Sequence, residues 1–224
     1  MERPIDIQLE KLRVKLLKMC SIVIEQLSFA LNSFSPEYKH LADEVINNDL
    51  NVDKYDNKIE KVCQKIFALN NPVAIDLRNI MSALKINSNL ERVSDLSVNI
   101  ARISKNLHSY PAFFERLNIN EIGKLTKQML DYSIDAYIHS DSEKSIELIG
   151  IDDKLDLMVK NATTVLIQIM KETPDNIESG ILTYALLQEL ERIGDHSTNI
   201  AEEVYFIVNA ESIKHRVKPK ISDN

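Results

Sequence analysis

Glycine, proline, cysteine and tryptophan are all scarce in this 224-residue chain, which has 4, 6, 2 and 0 of them. Sheets joined by tight turns need glycine, whereas the residues that dominate here, such as Leu, Ile, Lys and Glu, favour helices. The scarcity of glycine therefore predicts an all-α protein. A hydrophobic content of 44% suits a globular chain with a real core and argues against intrinsic disorder.

A basic surplus and a long apolar run are also missing. The formal net charge is −7 at pH 7, whereas a nucleic-acid interface needs concentrated Lys and Arg. The most apolar stretch, "CSIVIEQLSFAL", is interrupted by Glu25 and Gln26 and falls short of the roughly 20 apolar residues of a membrane span. The first residues are charged and contain no signal-peptide block, so we expect a soluble, cytoplasmic protein.

The residues of common catalytic and metal sites lack the spacing that such sites require. Cys20 and Cys63 stand alone, which is typical of buried thiols in a reducing compartment. His108, His139 and His196 have no second histidine at ligand spacing, and we expect chance placement or a local hydrogen bond for each. There is no phosphate-binding glycine loop and no nucleophile elbow, so we expect no enzymatic activity.

Apolar residues at alternating steps of three and four predict helices along the whole chain. The first helix runs from Ile5 and ends before Pro36. "SPE" at 35–37 predicts the start of a second helix, "NNP" at 70–72 separates the second from the third, and Pro111 ends the third. These signals predict three long helices in the first half.

The same pattern then begins again after a short linker. "NINE" at 118–121, a capping box "SDSE" at 140–143 and "TP" at 173–174 predict the starts of helices four, five and six. Short connections make successive helices antiparallel, so an internal repeat of two three-helix bundles is predicted. The expected division is a first bundle at residues 1–110, a second at 118–210 and a basic tail at 211–224.

A charged motif recurs at the same place in both halves. "NLERVSDLSVNIARI" begins at Asn89 and "ELERIGDHSTNIAEEV" begins at Glu189. Residues four apart share a helix face, so each motif places a glutamate and an aspartate side by side: Glu91 with Asp95, and Glu191 with Asp195. Such a like-charge pair costs a few tenths of a kcal/mol, so a repeated pair suggests a compensating cation or arginine.

Pairs of aspartates four residues apart also occur in the preceding helices. Antiparallel helices rise ~1.5 Å per residue, so residues equally distant from the connecting turn meet at one level. In each half, the acids before and after the connecting turn, near Asn71 or Thr173, lie at nearly equal numbers of residues from that turn. They should therefore face each other across the two helices. We call the two sets of acids the N-terminal cluster (Asp49, Asp53, Glu91 and Asp95) and the C-terminal cluster (Asp152, Asp156, Glu191 and Asp195).

Four carboxylates at a helix–helix seam are suitable ligands for hard cations such as Mg²⁺, Ca²⁺, Mn²⁺ or ferric iron, including multinuclear clusters. Two alternatives remain open. The acids could be plain surface charges of a metal-free helical adaptor, with Arg92 and Arg192 as ion-pair partners. The chain could also be a carboxylate-bridged metal enzyme or an ion-storage bundle, although its single Glu-x-x-His motif, "EYKH" at 37–40, argues against a di-iron site, which needs two. Asn99 and Asn199 follow the acid pairs and either steady a ligand or bridge helices.

At these motifs the chain resembles the PhoU family of phosphate-transport accessory regulators. The resemblance rests on "ERVSD" at 91–95, "ERIGD" at 191–195, "NIAEEV" at 199–204 and the "PxAxDLR" run at 72–78, with the aspartates of both clusters ahead of them. It covers essentially the whole chain. Ser94 and Arg102 of the first half correspond to Gly194 and Glu202 of the second, so we expect the two clusters to differ in affinity.

The resemblance implies a fold of two tandem three-helix bundles and iron or zinc clusters on the eight acids. It further implies a cytoplasmic, homodimeric regulator without enzymatic activity. Such a regulator associates with the ATPase subunit of the phosphate ABC transporter and with the sensor histidine kinase of the phosphate response, and restrains both when phosphate is plentiful.

Overall fold

A computed structural model describes residues 3–107 and 109–213, so His108 and the tail from residue 214 lie outside the described residues. The described chain has six long α-helices and no strand, which confirms the all-α prediction. The helices are α1 (Pro4–Asn32), α2 (Leu41–Leu69), α3 (Ala74–Asn106), α4 (Ile119–His139), α5 (Ser142–Glu172) and α6 (Ile177–Asn209). None of these helices combines the length and apolarity that crossing a bilayer requires.

Three predicted helix starts are displaced by a few residues. Pro36 and Pro174 begin short 3-10 turns, and α2 and α6 start only after those turns. The cap of α5 is Asp141 rather than Ser140: its carboxylate accepts hydrogen bonds from the backbone N–H groups of Glu143 and Lys144, both at 3.1 Å. Ser140 has a φ of 53° and ends α4 in the left-handed region, so it cannot adopt the extended backbone of an N-cap.

The two halves are helical bundles that share one continuous core. Helices α1, α2 and α3 pack together, as do α4, α5 and α6, while α3 packs lengthwise on α6 and α1 touches α4. Early residues of α3 contact late residues of α6: the Glu203 carboxylate accepts hydrogen bonds from Ser82 at 3.0 Å and Lys85 at 2.9 Å. Further along, Asn99 donates to Glu189 at 3.3 Å. The two central helices are therefore antiparallel.

The turn into α3 is fixed by Asp76, which belongs to the "PxAxDLR" run. Its buried carboxylate accepts hydrogen bonds from the Arg3 guanidinium at 3.0 and 3.1 Å and from the Val73 backbone N–H at 3.3 Å. A carboxylate at a helix N-terminus satisfies backbone donors and favours the helix dipole. Asp76 therefore sets where α3 begins, and with it the height at which the acids of α3 face α2.

Candidate functional site

The N-terminal cluster lies along the seam between α2 and α3. Asp49 is half-buried there, and the Ser94 hydroxyl donates a 3.0 Å hydrogen bond to its Oδ1. Burial is the largest influence on the pKa of Asp49 and raises it, and the charges of Asp53 and Asp95 raise it further. The hydrogen bond from Ser94 and the charge of Arg102 act in the opposite direction. Asp49 is therefore crowded by carboxylates but partly compensated.

Glu91 lies on α3, on the other side of the seam, and is close to the same negative charges. Burial raises its pKa, and so do Asp95, Asp56 and Asp53, while Arg92 lowers it. Arg92 extends across the surface and lies 3.5 Å from Glu91 and 3.3 Å from Asp95. The Arg92 side chain is exposed, so these ion pairs are worth less than about 1 kcal/mol each. The structure thus places the four predicted acids where their charges act on one another, with Arg92 and Arg102 as the cations beside them.

Asp56 joins this cluster, although the sequence interpretation missed it. Its Oδ1 accepts a 2.5 Å hydrogen bond from the Asn87 side-chain amide of α3. Burial and the charges of Glu60 and Asp53 raise its pKa. Asp56 follows Asp53 by three residues and so lies on a neighbouring part of the same helix face, which is the signal that could have identified it. The corresponding residues of the second half, Val159 and Leu187, are buried and apolar.

The C-terminal cluster is centred on Asp152, between α5 and α6. Burial, then the charges of Asp156 and Asp195, raise the pKa of Asp152 from 3.8 to about 6. Its Oδ1 is fully buried and has no hydrogen-bond partner among the described residues. The Thr198 hydroxyl favours the ionised carboxylate but does not reach hydrogen-bond geometry with it. This carboxylate oxygen is the least satisfied polar atom of either cluster.

Glu191 completes the second set of four. Burial, Asp156 and Asp195 raise its pKa, and the Gln188 amide, 3.1 Å from Glu191 Oε2, lowers it. Arg192 occupies the position that corresponds to Arg92, but it lies 3.7 Å from Glu189, outside the cluster. The two clusters therefore lie on equivalent seams, and the corresponding arginine pairs with Glu91 and Asp95 in the first half and with Glu189 in the second.

Gly194 explains why Asp152 Oδ1 has no hydrogen-bond partner, whereas Asp49 Oδ1 accepts one from Ser94. Ser94 in the first half occupies the position of Gly194 in the second, so the hydroxyl that bonds Asp49 is missing beside Asp152. A Cβ on Gly194 would lie 2.4 Å from Leu155 Cδ2 and 3.6 Å from Asp152 Oδ1. The larger leucine fills the space of a serine side chain, and the aspartate loses its donor.

In the first half, the residue of this pair on α2 is smaller, and the residue on α3 is larger, than its counterpart in the second half. Val52 occupies the position that corresponds to Leu155, and its smaller side chain leaves room for Ser94. Ser94 Oγ also lies 2.8 Å from Gln26 Oε1 of α1, whereas the residue facing Gly194 from α4 is Met129. A polar chain from α1 to α2 in one half is thus replaced by apolar packing in the other.

The chemistry of these residues fits a hard cation, because every donor is a carboxylate oxygen and one buried oxygen has no partner. Their present spacing is wider than coordination requires. Across residues 3–107 and 109–213, no three His, Cys, Asp or Glu side chains form a group that could hold an ion. A cation would have to draw the carboxylates of a cluster together.

The remaining predicted residues have structural roles. His139 Nδ1 lies 3.0 Å from the Asp135 carbonyl, which is the expected local hydrogen bond. His196 Nδ1 lies 2.9 Å from Asn89 Oδ1, a contact between α6 and α3 rather than a local one, and His108 is outside the described residues. Asn99 bridges α3 to α6. Both cysteines are buried and free, and burial raises the pKa of each thiol to about 12. In the "EYKH" motif, Glu37 lies in a 3-10 turn and His40 precedes α2, so the two do not share a helix face.

Comparison with known proteins relates nearly the full length of the chain to one family. A family model described as the PhoU domain matches it twice, over residues 16–104 and 119–204. A curated PhoU homolog of Borreliella burgdorferi, described as a phosphate-specific transport system accessory protein, is 32% identical over 217 residues, covering 94% of this chain and 97% of the relative. A protein of the same description from Xylella fastidiosa is 31% identical over 208 residues, or 93% and 88% of the two chains.

Two solved structures have the same fold. The crystal structure of PhoU from Pseudomonas aeruginosa superposes with a TM-score of 0.86 at 30% identity, covering 92% of this chain and 99% of that one. The phosphate transport system regulatory protein PhoU from Streptococcus pneumoniae gives a TM-score of 0.85 at 27% identity, with coverages of 93% and 98%.

The raised pKa of Asp152 predicts how the stability of the metal-free protein depends on pH. The folded-state pKa of about 6 exceeds the ordinary 3.8, so the folded state binds more protons between these values and loses stability as pH rises through them. We expect Asp152→Asn to raise the free energy of unfolding at pH 7 by about 1 kcal/mol, a value reduced for solvent screening, and to match wild type near pH ~4.

Urea unfolding with a chelator present, at a series of pH values, measures this difference. Asp153→Asn is the matched control, because Asp153 is exposed and contributes least among the causes that raise the pKa of Asp152. Equal gains from both substitutions at pH 7 would mean that the effect is a general change of net charge and would contradict the assignment to Asp152.

The difference between the halves predicts that the second cluster can be converted to resemble the first. In the double variant Gly194→Ser with Leu155→Val, the new hydroxyl has room to donate to Asp152 Oδ1, as Ser94 does to Asp49. A hydrogen bond to the charged form favours it, so the pKa of Asp152 should fall by about one unit. Carbon-13 NMR titration of the carboxyl group measures the change.

Each single substitution is a control for this prediction. Leu155→Val alone supplies no donor and should leave the pKa near its original value. Gly194→Ser alone places a Cβ 2.4 Å from Leu155 Cδ2, so it should destabilise the protein by overpacking. A folded double variant whose Asp152 still titrates near 6 would show that the missing hydroxyl is not the cause.

Proposed function

The chain belongs to the PhoU family, and from this premise we propose that it is a non-enzymatic, cytoplasmic regulator of phosphate uptake that binds cations on its two carboxylate clusters. The relatives that match nearly its full length are described as accessory or regulatory proteins of phosphate transport. The observation that carries the cation proposal is the repetition of the cluster, with raised pKa values at Asp49, Glu91, Asp152 and Glu191.

The proposed ligands are the eight predicted carboxylates, with Asp56 beside the first set. Crowded carboxylates repel one another, and a bound cation would neutralise that repulsion, so binding is coupled to a more stable fold. Iron or zinc clusters are the proposed occupants, and Mg²⁺, Mn²⁺ or Ca²⁺ suit the same oxygen donors. The cation would supply charge neutralisation and cross-linking of two helices.

The proposed partners are the ATPase subunit of the phosphate ABC transporter and the sensor histidine kinase of the phosphate response, with the chain acting as a homodimer. Membership in a family of phosphate-transport accessory proteins supports this proposal. The direction of the proposed regulation is restraint, in which the protein limits uptake and signalling when phosphate is plentiful.

A metal-free adaptor is the second candidate function, and specific observations favour it. Arg92 pairs with both Glu91 and Asp95, and in the described chain no three acids stand ready to hold an ion. In this alternative the clusters keep the protein soluble and contribute nothing to ligand binding. The two candidates differ in one measurable property, the response of stability to cations.

Thermal melts of chelator-stripped protein test the cation proposal. Binding only to the folded state should add about 2.7 kcal/mol at a hundredfold excess over the dissociation constant, and the gain should fade towards pH ~4 as carboxylates protonate. Replacing the four acids of one cluster by Asn and Gln should remove part of this gain and leave the rest, because the clusters share no ligand.

A matched control replaces four exposed glutamates outside the clusters by Gln: Glu10, Glu25, Glu44 and Glu115. It removes the same number of charges and should retain the full response. If melting of the wild type is indifferent to iron, zinc, manganese, magnesium and calcium alike, only the adaptor remains.

Phosphate uptake by cells tests the regulatory role separately. In cells from which the gene for this chain has been deleted, uptake of labelled phosphate should stay high when phosphate is plentiful, because the restraint is lost. Wild type and the exposed-glutamate control should restore the restraint, while the variants in which the four acids of one cluster are replaced by Asn and Gln should restore it less. Unchanged uptake after deletion would rule out a role in restraining transport, whatever the melting experiments show.

A further inference from the structure

Exposed apolar side chains occupy equivalent positions on α3 and α6. Leu77 and Met81 of α3 are 44% and 43% exposed, and their counterparts Ile177 and Ile181, one hundred residues later, are 47% and 61% exposed. Single exposed apolar residues are ordinary on protein surfaces. Two of them recur at the same positions of both repeats, which indicates that α3 and α6 expose equivalent apolar surfaces.

These apolar residues lie on the same helix face as the acids. Leu77 and Asp95 are 18 residues apart, which is about five full turns, so the two side chains share one direction. The residues between them follow steps of three and four. We define an α3 strip (Leu77, Met81, Leu84, Ser88, Glu91 and Asp95) and an α6 strip (Ile177, Ile181, Tyr184, Gln188, Glu191 and Asp195).

Each strip is apolar at the start of its helix and acidic about three turns later. Its length is about 27 Å, from 18 residues at ~1.5 Å each. At its apolar start the α3 strip is continued by Val73, which is also exposed, and in the α6 strip Tyr184 is exposed as well. The acidic end of each strip belongs to a carboxylate cluster, so negative charge extends from α3 onto α2 and from α6 onto α5.

The order of apolar and acidic residues along a strip specifies the kind of partner that would bind there. An occupant must present apolar side chains to one end and positive charge to the other, over a length of several helical turns. An amphipathic helix with apolar residues at i, i+4 and i+7 and Lys or Arg further along its face has this pattern. Charge complementarity would speed its association and fix its direction along the strip.

A second copy of the chain fits less well. Two copies joined through their strips would either bring two four-carboxylate clusters together or bury the apolar end of one strip against the acids of the other. The first arrangement brings like charges together, and the second removes carboxylates from water against an apolar surface. The acidic ends therefore favour a cationic partner over self-association.

We propose that each strip is a docking surface for a basic, amphipathic helix of a protein partner, so that one chain can receive two such helices. The inference rests on the proposed function for the existence of a partner, since a regulator acts through contact with another protein. It does not require cation binding, because the apolar residues and the acids are both present in the metal-free chain.

A synthetic helical peptide tests the proposal directly. The probe is a fluorescein-labelled peptide of about 18 residues, which matches the strip in length, with leucines on one face of its first half and lysines on that face of its second half. It is titrated with the full-length, chelator-treated protein, and anisotropy reports binding. A second peptide carries Glu in place of every Lys.

Two double variants of the protein carry equal added charge. Met81→Asp with Ile181→Asp changes both strips, whereas Val14→Asp with Ile146→Asp changes exposed apolar residues elsewhere, on α1 and α5. All four positions are exposed, so both variants should fold, which circular dichroism checks. The two variants attract a cationic peptide equally through net charge, and only the first loses apolar strip contacts.

We expect saturable binding of the lysine peptide to the wild type, with an affinity that falls as salt is added. The strip variant should bind at least tenfold more weakly, the control variant within twofold of wild type, and the glutamate peptide not at all. No binding by the wild type, equal binding of both peptides or equal affinity of both variants would overturn the proposal.

Light scattering tests whether a second copy of the chain, rather than a partner helix, occupies the strips. A wild-type dimer that the strip variant dissociates and the control variant does not would assign the strips to self-association and overturn the proposal. The peptide measurement uses purified, metal-free protein, so its failure leaves the melting and uptake experiments unaffected. Conversely, indifference of uptake to the deletion would reject the regulatory role even if the peptide binds.

Discussion

The lengthwise packing of α3 against α6 is the contact on which the rest of the structure depends. Each helix is the third of its bundle and carries half of a carboxylate cluster, so their contact unites two bundles into one core and sets where both clusters lie. The buried Glu203 carboxylate, bonded to Ser82 and Lys85, and the bridge from Asn99 to Glu189 help to fix the sliding position of the pair. Shifting α3 along α6 by one turn would leave Glu203 buried without a partner, which is costly.

Much of this arrangement follows from local patterns that can be recognised in the sequence alone. The three-four spacing of apolar residues gives six helices, and the repeated motif gives two halves, because both depend on residues within a few turns of one another. The position of the α5 cap depended on a single left-handed φ at Ser140, which leaves no clear mark in the sequence. The unpaired oxygen of Asp152 depends on the packing of Leu155 against Gly194 across two helices, so only the tertiary structure reveals it.

The two halves show how one backbone design supports different chemistry. Exchanging valine for leucine at 52 and 155, and serine for glycine at 94 and 194, preserves the local volume and changes the hydrogen bonding of one aspartate. The additional Asp56–Asn87 pair and the position of Arg92 then make the N-terminal cluster more compensated. The charges of Asp156, Asp195 and Asp153 all raise the pKa of Asp152, so a ligand that neutralises Asp152 relieves repulsion from all three.

The proposed cation and the proposed partner helix would both bind at Glu91 and Glu191. A cation held by Glu91 or Glu191 and a lysine placed over the same residue both neutralise one negative charge. Neither ligand gains the full benefit once the other is present, so each must weaken the binding of the other by an equal factor. The apolar ends of the strips lie about three turns away and are unaffected by the cation. Occupancy by metal would therefore reduce the electrostatic part of docking, and with it the association rate, while leaving the hydrophobic part in place.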